Sequence, residues 1–309
     1  MALSEKTKRW LKRNCLKDLS GKRVLITGAT SGVGLKSAEL LIYLNATVIM
    51  ACRNTGKAKA VKAALLKEYP RAKLEIMRLD LADFSSIKAF VSEINQTKTD
   101  IDVFLNNAGV FRKPGRRTAD GFDTVLGTNY LGVYYLTESI FPYLKELPHE
   151  VTYINTVSII HKVASEKYKD CFSGKRKNSF SVYGASKLCL AKYTYELARL
   201  NGNTNIRVLM NHPGISITPL RRGAFGSFAG KLAKIAGGIF NSPEKSALSL
   251  PYIMSNSFPA GSIIGPNRLS GGWGYPEVNR VGRMVKTGAD ELIGFTKEQI
   301  NIFDCEGFS

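Results

Sequence analysis

The 309 residues suffice for one large α/β domain and are short for two; 44% are hydrophobic and 22% charged, proportions that exclude a disordered chain and a membrane-embedded bundle. The formal charge of +19 would attract anionic ligands, lipid or nucleic acid, but the basic residues are spread along the whole chain without aromatic interleaving, which speaks against nucleic-acid binding. Five cysteines, Cys15, Cys52, Cys171, Cys189 and Cys305, are odd in number and form no C-x-x-C pair, so free thiols in a reducing compartment are expected.

Residues 1 to 20 hold six basic and two acidic side chains, with Leu3, Thr7, Trp10, Leu11 and Cys15 near helical spacing. They predict a short basic amphipathic extension to a domain spanning 21 to 309. The thin apolar stripe favours packing against that domain; the alternative is peripheral contact with an anionic membrane, Trp10 lying at the interface. No apolar signal-peptide core is present, so a cytoplasmic location is expected, with a membrane-peripheral one as the alternative.

From Lys22 onward, strand and helix patterns alternate. Val24 to Thr27 reads as a strand, Gly34 to Leu44 as a helix and Thr47 to Cys52 as a strand. A Lys- and Ala-rich helix runs to Tyr69, followed by a strand from Leu74 to Asp80, a helix from Ser85 to Ile94 and a strand from Asp102 to Gly109. This repetition is that of a parallel, doubly wound sheet, a single-domain Rossmann fold. A helix around Phe122 to Leu144, a strand from Val151 to Ser158, a basic insertion from His161 to Asn178, a helix from Tyr183 to Leu200 and a strand from Ile206 to Gly214 continue it. Thr218 to Phe240, rich in glycine, reads as a mobile region over the site. Ser246 to Asn267 is uncharged over a membrane-spanning length, but its prolines and glycines suit a helix followed by a loop.

The turn holding Gly28, Thr30, Ser31, Gly32, Val33 and Gly34 lies between the first strand and the first helix of this pattern. Glycines there let backbone approach a pyrophosphate, whose charge is met by the free N–H groups of the helix N-terminus. The second strand ends in Cys52-Arg53-Asn54, without the carboxylate that would bind a ribose hydroxyl. Arg53, with Lys57, can instead pair with a 2′-phosphate, so NADP(H) is preferred and NAD(H) is the alternative.

In order along the chain stand Thr27 to Gly34 as T-G-x-x-x-G-x-G, Arg78-Leu79-Asp80, Asn106 to Gly109 as N-N-A-G, Asn129, Ser158, Tyr183 to Lys187 as Y-x-x-x-K, and Pro213-Gly214 followed by Thr218. From about Leu19 to Tyr275 the chain resembles the short-chain dehydrogenase/reductase superfamily, and within it the retinol dehydrogenase-like group. The resemblance implies cofactor contacts at Asp80, Leu81, Asn107, Ala108, Gly109, Pro213, Gly214 and Thr218, besides Tyr183 and Lys187. It also implies a catalytic set of Asn129, Ser158, Tyr183 and Lys187, with Asn129 anchoring a water in a proton relay. Dimers and tetramers are common in that superfamily, so a homodimer stays open.

Tyr183 and Lys187 are four residues apart and project from one face of a helix, where an ammonium favours the phenolate of a neighbouring tyrosine. Tyr183 is the expected proton donor to a carbonyl oxygen and Ser158 the hydrogen-bond donor to the same oxygen. The insertion carrying His161, Lys162, Lys175, Arg176 and Lys177 should border the substrate mouth, either as a solvated basic loop or against an anionic substrate or lipid. The expected activity is carbonyl–alcohol interconversion on a small, lipophilic molecule. The alternative is an NADPH-binding sensor or scaffold whose basic surface binds a partner.

Overall fold

The computed structural model of the chain describes residues 2–15, 18–112, 115–173, 178–215, 241–268 and 271–301. After a short helix α1 (Glu5–Asn14), strand and helix alternate: β1 (Arg23–Thr27), α2 (Gly32–Tyr43), β2 (Thr47–Cys52), α3 (Thr55–Glu68), β3 (Lys73–Arg78), α4 (Phe84–Thr97) and β4 (Val103–Asn106). The second half adds α5 (Thr124–Leu126), a π-helical turn (Gly127–Leu131), α6 (Gly132–Glu146), β5 (Val151–Thr156), a 3₁₀ turn (Ile159–Val163), α7 (Lys169–Phe172), α8 (Ser179–Leu200) and β6 (Ile206–Asn211). Then come α9 (Pro243–Ala247), α10 (Ser249–Ser255), β7 (Ile263–Arg268), β8 (Trp273–Asn279), α11 (Arg283–Lys286) and α12 (Ala289–Asn301).

The strands form one eight-stranded sheet in the order β3-β2-β1-β4-β5-β6-β7-β8, all parallel except β8, which runs antiparallel to β7. Central strands such as Thr47–Cys52 and Val151–Thr156 are buried along their whole length, as continuous apolar runs in a sheet covered on both faces must be. Side-chain alternation divides the core. Leu25, Ile49, Phe104, Tyr153 and Val208 face α4, α6 and α8, whereas Ile26, Val48, Met50, Leu105, Ile154 and Leu209 face α2, α3, α9 and α10. Strand order reverses between β1 and β4, and the crevice at that reversal, at the carboxyl ends of the strands, is where such sheets bind ligands.

Three features depart from the sequence pattern. Ile263–Arg268 is a strand rather than a loop: Ile263 and Ile264 pair with Met210 and Asn211, and Pro266 lies opposite Pro276 near a bulge in the β7–β8 pair. Proline is tolerated there because the pairing with β6 ends at Ile264, before Pro266, and Pro276 lies on the edge strand β8. The helix expected as continuous from Phe122 starts at Thr124, capped by Asp123, and is broken by the π turn. There Gly132 presses so close to the Leu81 carbonyl that no side chain would fit. Finally, α8 starts at Ser179, four residues before Tyr183, because the Asn178 side chain accepts from the N–H groups of Phe180 and Ser181.

Helix α1 lies against the domain. Ser4 and Thr7 donate side-chain hydrogen bonds to Glu244, and Trp10 stacks on Tyr275 with ring centroids 5.4 Å apart. Its exposed face carries Lys6, Arg9, Lys12 and Arg13. Among the described residues no helix is long and apolar enough to cross a membrane.

Candidate active site

The glycine turn closes directly onto the loop after β4. Gly28 adopts φ +71°, and its N–H donates to the Ala51 carbonyl at 2.9 Å. A Cβ on Gly28 would stand 2.9 Å from Ala108 Cα, and one on Gly34 would stand 2.6 Å from the Gly28 carbonyl oxygen and collide with the Asn107 amide. The Thr27 hydroxyl accepts from the N–H groups of Asn107 (3.1 Å) and Ala108 (3.0 Å), while the Asn107 side chain donates to the Thr27 carbonyl at 3.0 Å. Ser31, the N-cap of the twelve-residue helix α2, makes no side-chain capping bond, so it does not take up the first-turn N–H groups at the cleft.

At one end of the cleft, Arg53 follows β2 with its side chain 63% exposed, its Nε 3.8 Å from Asp80 Oδ2. Asp80 also accepts from the Ala82 N–H at 3.0 Å, and Asn54 caps α3 by accepting from the Lys57 N–H at 2.8 Å. Arg53, Asn54 and Lys57 all line this end.

Helix α8 presents Tyr183 and Lys187 to the same cleft. Lys187 is 4% exposed; its Nζ donates to the Thr156 carbonyl at 2.7 Å, and burial pushes its ammonium down to about 8. Ser158 follows β5 and opens the 3₁₀ turn, its hydroxyl accepting from the Ile160 N–H at 3.4 Å. His161 holds the Ser158 carbonyl twice, through its backbone N–H at 3.0 Å and ring Nδ1 at 2.5 Å. An acceptor carbonyl requires the proton on Nδ1. This ring is 2% exposed and burial lowers its pKa, so the position expected for it at the substrate mouth is corrected: His161 lies under Ser158.

A single cleft of about 860 Å³ gathers Gly28, Thr30, Ser31, Gly32, Val33, Gly34, Arg53, Asp80, Leu81, Asn107, Ala108, Gly109, Ser158, Tyr183, Lys187, Pro213 and Gly214. Asn129 is not on its wall. Fully buried in the π turn, its side-chain amide accepts from the Val110 N–H (2.7 Å) and donates to the Val110 carbonyl (2.9 Å) and the Ser186 hydroxyl (3.2 Å). Thr218, the glycine-rich region to Phe240, and Lys175 to Lys177 of the insertion lie outside the described residues. Gly214 keeps its φ of +71° beside the Gly272 carbonyl, and its N–H donates to His212 Nδ1 at 3.3 Å. Burial pushes His212 down to about 3.

The sequence pattern did not point to Phe111, Phe180, Ile160, Val163 and Ile215, which form the apolar part of the cleft. Two signals were available: Phe111 comes two residues after the N-N-A-G segment, and Phe180 is three residues, about one helical turn, before Tyr183. The Phe111 ring lies 5.1 Å from both the Tyr183 and the Phe180 rings, edge-on to each.

The profile of the short chain dehydrogenase family matches residues 22–226. The chain is similar to retinol dehydrogenase 14 of Mus musculus, at 37% identity over 215 residues, 66% of this chain and 64% of that protein. It is also similar to human polyprenol dehydrogenase, at 34% identity over 235 residues, 74% of this chain and 71% of the relative. The chain therefore spans a little less than two thirds of the length of the mouse retinol dehydrogenase. Among solved structures, an uncharacterised protein from Mycobacterium paratuberculosis superposes with a TM-score of 0.73 at 28% identity, covering 93% of this chain and 96% of that one.

Proposed function

The chain belongs to the short-chain dehydrogenase family, whose members bind NAD(P)(H), and from that premise we propose that it interconverts a carbonyl and an alcohol with NADP(H). The observation that carries this reading is the placement of Tyr183, Lys187 and Ser158 in the cleft that begins at the glycine turn. A dinucleotide suits that cleft on three counts. Side chains are sterically excluded at Gly28 and Gly34, the N-terminus of α2 is free of side-chain capping, and the Lys187 ammonium uses one of its three donors on Thr156. Gly28, Thr30, Ser31, Gly32, Val33 and Gly34 would hold the pyrophosphate, Asp80 and Leu81 the adenine side, and Asn107, Ala108, Gly109, Pro213 and Gly214 the nicotinamide half. Lys187 would hold the ribose next to the nicotinamide.

When bound, the reduced dinucleotide supplies the hydride. Tyr183 donates its phenolic proton to the substrate oxygen, and the Lys187 ammonium one helical turn away stabilises the phenolate left behind. Ser158 donates a hydrogen bond to the same oxygen, where negative charge develops. Asn129 acts on the chain rather than the substrate: by fixing both backbone groups of Val110 it holds the segment from Asn107 to Phe111 in place. In the alcohol-oxidising direction Tyr183 takes the proton back. The apolar wall favours a lipophilic substrate, a reading in line with relatives named for retinol and polyprenol. A protein that only sensed NADPH or served as a scaffold would have no use for a proton donor at Tyr183 beside the Ser158 hydroxyl.

Preference for NADP(H) rests on Arg53, just after β2, and Lys57, in the first turn of α3, where a 2′-phosphate would lie. Because Arg53 is largely exposed, its contribution falls near the low end for a charge-assisted bond, about 1.5 kcal/mol or roughly tenfold in affinity. Fluorescence titration should therefore show tighter binding of NADPH than of NADH, with Arg53→Ala weakening only NADPH. Equal weakening of both cofactors would remove the phosphate assignment, and binding of neither would remove the enzymatic reading.

A further inference from the structure

We infer that Phe111 is the residue that sets substrate specificity, acting as the platform for a bulky apolar group attached to the reacting carbonyl. This inference rests on the reading of the cleft as a carbonyl–alcohol site.

Three observations lead to Phe111. The first is rigidity. Its neighbour Val110 has both backbone groups bound by the fully buried Asn129, and Asn107 and Ala108 are bonded to Thr27. A side chain on so constrained a segment keeps its position, which selection between substrates requires.

The second is position. The Phe111 ring is wedged between Phe180 and Tyr183, two residues one turn apart on α8, with both centroids at 5.1 Å and both contacts edge-on. It therefore stands beside the ring that carries the proton-donating hydroxyl, and a group attached to the reacting carbonyl must pass close to it.

The third is apolar exposure. Phe111 is only partly buried, and it shares the cleft with Phe180 (44% exposed) and Val163 (82% exposed). Apolar surface open to water around a cleft is surface that a ligand can cover. Phe180 and Val163 belong to the more exposed rim, whereas Phe111 belongs to the anchored inner wall and is the residue that discriminates. The chemical class it selects is a ketone or aldehyde with a flat or bulky hydrocarbon substituent, in preference to a short aliphatic one.

The test uses the full chain loaded with NADP⁺, in which a ketone binds but cannot react. Calorimetric titration with 2-acetonaphthone is compared for wild type, Phe111→Leu and Phe111→Ala, with cofactor affinity and melting temperature as controls for folding. NADPH-dependent turnover of 2-acetonaphthone and of propanal is measured in parallel. Phe111→Ala should weaken the naphthyl ketone about tenfold, as expected for losing one ring-sized apolar contact, and Phe111→Leu should weaken it by a smaller factor. Propanal turnover should fall by a smaller factor than that of the naphthyl ketone, since an ethyl group covers much less of the missing ring.

Unchanged binding of the naphthyl ketone in both variants, or equal losses for naphthyl ketone and propanal, overturns the assignment of Phe111. Phe111→Leu decides the matter should Phe111→Ala fail to fold. Phe111-dependent binding without turnover of either carbonyl would leave the platform standing and count against the proposed reaction. Turnover with no dependence on Phe111 would do the reverse.

Discussion

Replacing Lys187 with methionine should make the protein more stable at neutral pH while abolishing its activity. The ammonium is 4% exposed and its pKa falls from the ordinary 10.5 to about 8 through burial. At 1.36 kcal/mol per pH unit, that difference corresponds to about 3 kcal/mol of disfavour for the charged form in the folded state. Methionine removes this and roughly conserves length, but leaves the Thr156 carbonyl without its 2.7 Å donor, a loss of about 1 to 2 kcal/mol. The net expectation is a gain of about 1 to 2 kcal/mol at pH 7. The pH dependence follows from the sign of the shift. Between about 8 and 10.5 the unfolded chain binds more protons at this site than the folded one, so wild-type stability from Lys187 rises with pH across that window and is flat below it. Urea unfolding followed by tryptophan fluorescence, at pH 7 and again near pH 10, should show the advantage of Lys187→Met shrinking at the higher pH. A variant less stable than wild type by more than about 1 kcal/mol at pH 7 would refute the reasoning, as would a stability difference that does not change with pH.

Gly28→Ala places a Cβ 2.9 Å from Ala108 Cα at a φ of +71°, so the loop after β4 must shift. NADPH affinity should fall by more than about tenfold in fluorescence titration, with a modest loss of about 1 to 2 kcal/mol in stability. His161→Leu removes the ring donor to the Ser158 carbonyl, whereas His161→Asn supplies a side-chain N–H near the same place. Steady-state kinetics should give a kcat about tenfold lower for the leucine variant, partial recovery for asparagine, and little change in NADPH affinity in either.

The elements legible in the sequence are those whose signal is local. Strands buried on both faces, such as Thr47–Cys52, read as apolar runs, and Tyr183 and Lys187 share a helix face by spacing alone. What escaped depends on distant partners. Ile263–Arg268 carries a proline that argues against a strand, and only its pairing with Met210, Asn211 and the edge strand makes it one. The π turn at Gly127–Leu131 accompanies a close approach to the Leu81 carbonyl, 51 positions before Gly132, which no helical periodicity encodes. Phe111 and Phe180 meet across 69 positions, so the apolar wall could not be assembled from either segment alone. The basic class of His161 points toward solvent, whereas the 3₁₀ turn after Ser158 buries its ring.

The role of Tyr183 as proton donor is tested by single-turnover reduction of 2-acetonaphthone by the NADPH-loaded protein, comparing wild type with Tyr183→Phe. NADPH affinity should stay within about twofold of wild type, because the ring of Tyr183 remains, and the rate should fall by about 10² to 10⁴, the usual worth of a positioned proton donor. A Tyr183→Phe protein that reduces the ketone within a few-fold of the wild-type rate would contradict that role.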